Sequence, residues 1–223
     1  MSACGLRKIV VTGASGCIGQ VLVAGLDDYK LTPLSIDTGT DLRSPQTAAA
    51  ALAGHDAVVH LAWRYAESHD ADDSVADSIT LNNTVLHAAH AAGVRRVLMA
   101  SSVHADYFFD WSGPDLLTPD RPPRGNDFYG SAKVVAETQG RYWAARGLEV
   151  IVLRYGGVTP DNTPHPTDSW EQRVFLSHSD CVAAVRSCLQ ADSVPGNFVI
   201  FYLVSNNPGR IHDTVNPFHW TPD

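Results

Sequence analysis

The run Lys8-Ile9-Val10-Val11-Thr12, followed at once by Gly13-Ala14-Ser15-Gly16-Cys17-Ile18-Gly19, decides the fold. Its first five residues are short, apolar and β-branched, which predicts a strand buried in a sheet. Glycines interrupt it, and a helical stretch then runs from Cys17 to about Leu26. Strand, glycine turn and helix in this order set free N–H groups and the positive end of a helix dipole over the strand's carboxyl end, a natural seat for an anion. Gly13 permits the tight turn, Gly16 lets the backbone approach a pyrophosphate, and Gly19 lets helix and strand pack closely. Ser15, Cys17 and Ile18 lie within the same turn and join the glycines as expected dinucleotide contacts.

Downstream, Pro33-Leu34-Ser35-Ile36-Asp37 reads as the second strand. Asp37 falls close to the spacing, about 20 residues beyond the turn, of the acid that holds the adenosine ribose hydroxyls. A carboxylate there accepts hydrogen bonds from a diol and repels a 2′-phosphate. Thr38-Gly39-Thr40 follows it with no adjacent cation, and Arg43 is the nearest one, so NAD is expected in preference to NADP.

The remaining chain alternates in type. A helical, alanine-rich segment spans 44–52, strands 56–61 and 96–101, a long helix 73–92 between them, a helix 128–146, a strand 148–154, a helix 179–190 and a last strand 197–204. This alternation predicts an α/β fold: a Rossmann-type doubly wound parallel sheet with a small C-terminal appendage. Residues 1–223 read as a single domain, with the late loops at about 155–177 and 205–223 on the substrate side. The proline-rich loop from Asp106 to Asp127 is long enough to suggest a functional role.

Composition removes other classes. Acids exceed bases by eight, which argues against a basic groove for nucleic acid. No apolar run reaches the ~18 residues of a membrane helix, and no signal segment precedes the first strand, so a cytoplasmic protein with no membrane partner is expected. Cys4, Cys17, Cys181 and Cys188 form no zinc-spaced pattern, and no metal site is expected. The chain has only three lysines, Lys8, Lys30 and Lys133.

The third lysine sits in Tyr129-Gly130-Ser131-Ala132-Lys133, at the start of the helix after the long loop. Tyr129 and Lys133, at i and i+4, share one helical face. An ammonium there favours the phenolate, and a phenol so tuned can exchange a proton with a substrate hydroxyl or carbonyl. Lys133 can also hold cofactor ribose hydroxyls. Ser102 closes the fourth strand, at the sheet edge where open α/β folds place their ligands, and its hydroxyl can bond the reacting oxygen. Because strand side chains alternate, only one of Ser101 and Ser102 should face the substrate.

Taken together, TGASGCIG at 12–19, the Asp37 strand end, Asp41-Leu42, HLAW at 60–63, ASS at 100–102 and YGSAK at 129–133 resemble the extended short-chain dehydrogenase/reductase superfamily, in its NAD-dependent epimerase/dehydratase group. That resemblance implies adenine contacts at Asp41 and Leu42. It implies further cofactor contacts at Leu61, Ala62, Trp63 and Ala100, and a nicotinamide-side loop at 155–158 with Tyr155 and Val158 in contact. FLSHSD at 175–180, VSNN at 204–207 and SSVH at 101–104 look like the uronate dehydrogenase branch, which oxidises the anomeric carbon of a free hexuronic acid to an aldarolactone. By this likeness Ser102, His104 and Tyr129 face a sugar. Trp170 falls where that branch carries a carboxylate-binding arginine, and Arg173 is the stand-in. Val103 replaces an asparagine, Tyr65 replaces a small polar residue, and Ser78, with Asn82 one turn later, stands where an asparagine is usual. A neutral aldose or another small polyol fits these departures equally well.

Two alternatives accompany the dehydrogenase expectation. A nucleotide-sugar epimerase or dehydratase needs a larger C-terminal region than the roughly 70 residues after the fifth strand. A non-catalytic, NAD-binding regulatory protein would be expected to lose the Tyr or the Lys, and both are present. The resemblance also implies a homodimer pairing the helices at 73–92 and 128–146.

Overall fold

Parallel strands buried on both faces need continuous apolar runs, and those runs are the ones that pair. In the computed structural model, which describes residues 5–64, 72–106, 111–125 and 127–223, six strands form one sheet. They are β1 (Lys8–Thr12), β2 (Lys30–Leu34), β3 (Ala57–His60), β4 (Arg96–Ser102), β5 (Glu149–Tyr155) and β6 (Phe198–Leu203). Their order is β2-β1-β3-β4-β5-β6, and every pairing is parallel. Cys4 and Tyr65 lie outside the described residues.

Helices cover both faces. Ile9, Val11, Leu98, Ile151 and Leu153 point to the side closed by α1 (Cys17–Gly25) and α6 (His178–Gln190). Val10, Val58, Val97, Val150 and Val152 point to the other side, closed by α2 (Pro45–Leu52), α3 (Asp72–Ala91) and α4 (Phe128–Ala144). Alternation along each strand thus splits the interior into two cores. The chain after β6 is irregular but seated, with Phe218 and Trp220 packed on Phe201 at ring-centroid separations of 5.9 and 6.3 Å.

Three local features depart from the sequence expectations. The second strand begins and ends three residues earlier than its apolar pattern suggests, because β2 lies at the sheet edge, where Pro33 loses no ladder bond by lacking an N–H. Asp37 consequently lies not at the strand end but in a 3₁₀ turn, Ile36–Thr38, closed by Gly39 at φ 86°. A short helix, α5 (Ser169–Val174), occupies a stretch for which the sequence pattern predicts no element. It is capped by Asp168, whose carboxylate accepts from the N–H groups of Trp170 and Glu171.

The amino edge of the sheet holds a buried ion pair. Arg96 on β4 and Glu149 on β5 are register partners. The Arg96 Nε donates to Glu149 at 2.8 Å, and its Nη1 donates to the carbonyls of Cys188 and Ala191, closing the end of α6. Removing one member of a buried pair leaves the other's charge unsolvated. Arg96→Met should lower stability by roughly 3 kcal/mol, at the low end for such a pair because Arg95 also reaches Glu149. Urea denaturation reads this directly; an unchanged midpoint would remove the pair from the fold's essential contacts.

Candidate active site

The strand order reverses around β1: the chain leaves it for β2 on one side and returns to β3 on the other. Ligands of open α/β sheets occupy the crevice at such a point, beyond the carboxyl ends of the strands. A cavity of about 630 Å³ lies there, within the roughly 300–1,000 Å³ range of small-molecule sites. The turn after β1 contributes Gly13, Ser15 and Gly16, and the chain beyond β2 contributes Asp37, Asp41 and Leu42. The segment after β3 contributes Leu61, Ala62 and Trp63.

The turn's glycines divide the work. Gly13 has φ +69°, and a Cβ on it would come within 2.8 Å of the Ala62 nitrogen. A Cβ on Gly19 would collide with the Gly13 carbonyl oxygen, so this glycine lets α1 seat on the turn. Before Gly16 the space is open, and a methyl group there would meet only the Gly13 oxygen, at 3.3 Å. Backbone with open space at a helix N-terminus suits a pyrophosphate. Asp37 is tied across this space: its Oδ2 accepts from the Ser15 hydroxyl at 2.5 Å and from the Ser35 hydroxyl at 3.2 Å.

Several expected contacts sit off the cavity wall. Thr38 turns its hydroxyl onto the Ser35 carbonyl, and Ile18 packs towards the core. Cys17 donates its thiol to the Val158 carbonyl at 3.5 Å, joining the glycine turn to the loop after β5. Tyr155 faces the α6 side, fully in the core, and burial pushes its phenol well above the usual range. Ala100 packs against the same core, and its carbonyl accepts from the Lys133 ammonium at 3.2 Å. Arg173 lies over the Trp170 ring at 5.0 Å.

Beneath the β3 turn lies a buried relay that sequence reasoning missed. Thr12 Oγ1 accepts from the Ala62 N–H, and it meets His60 Nδ1 at 2.7 Å. His60 Nε2 meets Asn82 Oδ1 at 3.0 Å. The bonds close if His60 carries its proton on Nε2 and accepts the Thr12 hydroxyl. Burial holds the imidazole at about 4, so it stays neutral and can serve both neighbours at once. Ser78 accepts from the Arg64 N–H, fixing the next residue along.

Helix α4 brings the Tyr129–Lys133 pair to this edge. Asp127 caps it, accepting from the Gly130 N–H at 2.6 Å. Gly130 allows its first turn to press against the segment after β4, since a Cβ there would overlap the His104 carbonyl oxygen. The Tyr129 ring stands edge-on to Trp63 at 5.5 Å and to His104 at 5.9 Å. His104 Nδ1 meets Asp127 at 3.0 Å. Lys133 is 3% exposed, with its ammonium 3.7 Å from the Trp63 ring centroid and 5.4 Å from that of Tyr129. Burial pushes the ammonium down to about 7. Trp63 thus covers Lys133 on the cavity side. Of the two strand-end serines, Ser101 donates to Glu137 beneath α4, whereas Ser102 accepts from the His104 N–H.

A smaller cavity of about 200 Å³ lies along the loop after β5, with Asp161, His165 and Glu171 among its walls. No helix among the described residues is long and apolar enough to cross a membrane, and no three metal-binding side chains cluster there.

The chain is similar to known proteins. A family model described as NAD dependent epimerase/dehydratase family matches residues 9–169. L-arabinose 1-dehydrogenase (NAD(P)(+)) from Haloferax volcanii is 33% identical, over 92% of this chain and 91% of its own length. Uronate dehydrogenase from Agrobacterium fabrum is 29% identical, over 92% of this chain and 79% of its own. The crystal structure of uronate dehydrogenase from Agrobacterium tumefaciens superposes with a TM-score of 0.82 at 23% identity, covering 97% of this chain and 84% of that one. Matched across most of its length by the family model, and one-third identical to a relative along nearly all of it, the chain belongs to the NAD-dependent epimerase/dehydratase family.

Proposed function

We propose that this chain is an NAD-dependent dehydrogenase acting on a hydroxyl or carbonyl of a sugar or sugar acid. The observation that carries the reading is the Tyr129–Lys133 pair, one helical turn apart, set beside a cavity walled by a glycine turn and Asp37. The nicotinamide supplies a hydride acceptor or donor when bound. The chain's own residues supply the rest. The glycine turn and the start of α1 hold the phosphates, and Asp37 accepts the ribose hydroxyls. Tyr129 exchanges a proton with the substrate oxygen, Lys133 favours the phenolate, and Ser102 bonds the same oxygen. His104, oriented by Asp127, faces the sugar, with Arg173 on the far side. The names of the Haloferax and Agrobacterium relatives support the substrate class.

NAD is preferred over NADP in this reading for an electrostatic reason. Arg43 and Arg64, the guanidiniums on the cavity wall, are engaged by Asp41 and Asp77. A 2′-phosphate would face Asp37 and compete for cations already paired. The Haloferax relative's name covers both cofactors, so both belong in the assay. The chain also forms a homodimer through α3 and α4 in this proposal, with Val135 and Tyr142 exposed on α4; a monomer in sedimentation equilibrium at micromolar concentration would end that part.

Reduction of NAD with L-arabinose, other aldoses and hexuronates tests the activity, and no turnover across that panel with NAD or NADP would overturn it. Tyr129→Phe should lower turnover by roughly 10²–10⁴-fold while leaving NAD affinity nearly unchanged, because only the proton relay is lost. A near wild-type rate would remove Tyr129 from the chemistry. Asp37→Ala should weaken NAD by roughly tenfold or more, as loss of hydrogen bonds to a charged acceptor does, and narrow the gap to NADP. Unchanged cofactor preference by calorimetry would reject the role given to Asp37.

A further inference from the structure

One register row of the sheet carries polar side chains into the α4 core. Ser101 on β4 pairs with Arg154 on β5, and Arg154 pairs with Tyr202 on β6. All three side chains have the parity of Val97, Val150 and Phe198, which face α4. Glu137, one turn beyond Lys133 on α4, lies over this row. Its Oε1 accepts from Ser101 Oγ at 2.6 Å and from Arg154 Nε at 2.8 Å, and its Oε2 accepts from Arg154 Nη2 at 2.9 Å. Arg154 Nη1 donates to the Tyr202 hydroxyl at 2.9 Å, which donates in turn to Asp106 at 2.9 Å. Glu137 is 7% exposed, Arg154 1% and Tyr202 fully buried.

Among the described residues, no carboxylate lies in hydrogen-bond contact with Lys133; its ammonium meets the Ala100 carbonyl and the face of the Trp63 ring. Glu137 shares its helical face but has both oxygens committed to Arg154 and Ser101. A free carboxylate one turn away would swing to a buried ammonium and lock it in an ion pair. The bidentate fork of Arg154 prevents that, since it fixes the carboxylate plane.

We propose that Arg154 and Glu137 are positioning residues for Lys133: Glu137 supports the buried ammonium through space, and Arg154 restrains Glu137 from pairing with it directly. The support is Coulombic, and it acts against the desolvation that dominates at Lys133. The other titratable neighbours are few. Tyr129 faces Lys133 from the same helix, and His60 approaches from β3 but is neutral above about 4. Arg154, from β5, is the cation held on Glu137 by its fork. The relevance of this device to turnover rests on the dehydrogenase reading above; the device itself does not.

The scarcity of lysine makes the test direct. In protein labelled with ¹³C-lysine, the exposed Lys8 and Lys30 serve as internal references for the titration of Lys133. The wild-type midpoint for Lys133 should fall near 7. Glu137→Gln removes the supporting charge and leaves Arg154 unopposed, so the midpoint should drop by about one pH unit or more, a tenfold loss of proton affinity. Arg154→Met frees the carboxylate, and the midpoint should rise by a similar amount. Arg154→Lys, which keeps the charge but not the fork, should give an intermediate value. Because either single change carries a folding cost, the double variant Glu137→Gln/Arg154→Met is included: its buried pair is removed as a unit, and its midpoint should stay below wild type because the supporting carboxylate is gone. Midpoints that stay within about 0.3 units in every folded variant, or that move the same way in Glu137→Gln and Arg154→Met, would overturn the proposal. Loss of sugar oxidation in the wild type, with the titration pattern intact, would count against the functional reading and support this one.

Discussion

Helix α4 can reach the carboxyl end of β4 only because its first turn carries no Cβ where it meets the His104 carbonyl. That contact sets the height of the whole helix over the sheet. Tyr129, immediately before the glycine, is thereby held edge-on to Trp63, which lines the crevice, and Lys133 one turn on lies against the Trp63 ring. Glu137, a further turn down, then meets the row formed by Ser101, Arg154 and Tyr202. A looser approach would leave the lysine in water at its ordinary proton affinity and the glutamate without partners.

Parallel sheets covered on both faces seldom carry charge in their interior, because each ion loses several kcal/mol of hydration there. This chain places such groups at two levels. At the amino edge, Arg96 and Glu149 join two strands and the end of α6. Near the carboxyl edge, Arg154 and Glu137 join β5 to α4. The two pairs differ in surroundings: the first ends on backbone carbonyls, whereas the second continues through Tyr202 to Asp106 at the base of the long loop. The second level thus links α4, which carries Tyr129 and Lys133, to the segment after β4.

The sequence discloses the features that are local. Strand, glycine turn and helix at 8–25 are contiguous, and the alternation of elements carries the doubly wound architecture with it. The pair at Tyr129 and Lys133 is legible because i and i+4 define a face without any knowledge of the partner. What escapes is non-local. Glu137 and Arg154 are joined only through the packing of α4 on β5, and Thr12, His60 and Asn82 come from three elements. Gly130 reads as an ordinary member of YGSAK, since nothing in the sequence tells what its missing side chain makes room for. The helix at 169–174 is too short for periodicity to reveal, although Asp168 is a recognisable cap. Tyr155, which the family resemblance puts on the cofactor side, has its ring turned to the α6 core by strand parity, a direction that motif matching does not read.

The bridging of Asp37 by Ser15 and Ser35 has a thermodynamic consequence for any diol that arrives. The carboxylate already accepts from two hydroxyl groups of the protein, which hold its plane before any ligand arrives. A carboxylate fixed in this way demands little reorganisation when a donor reaches its remaining lone pairs. In the proposed reading, the same carboxylate also disfavours a second negative charge at this end of the cavity.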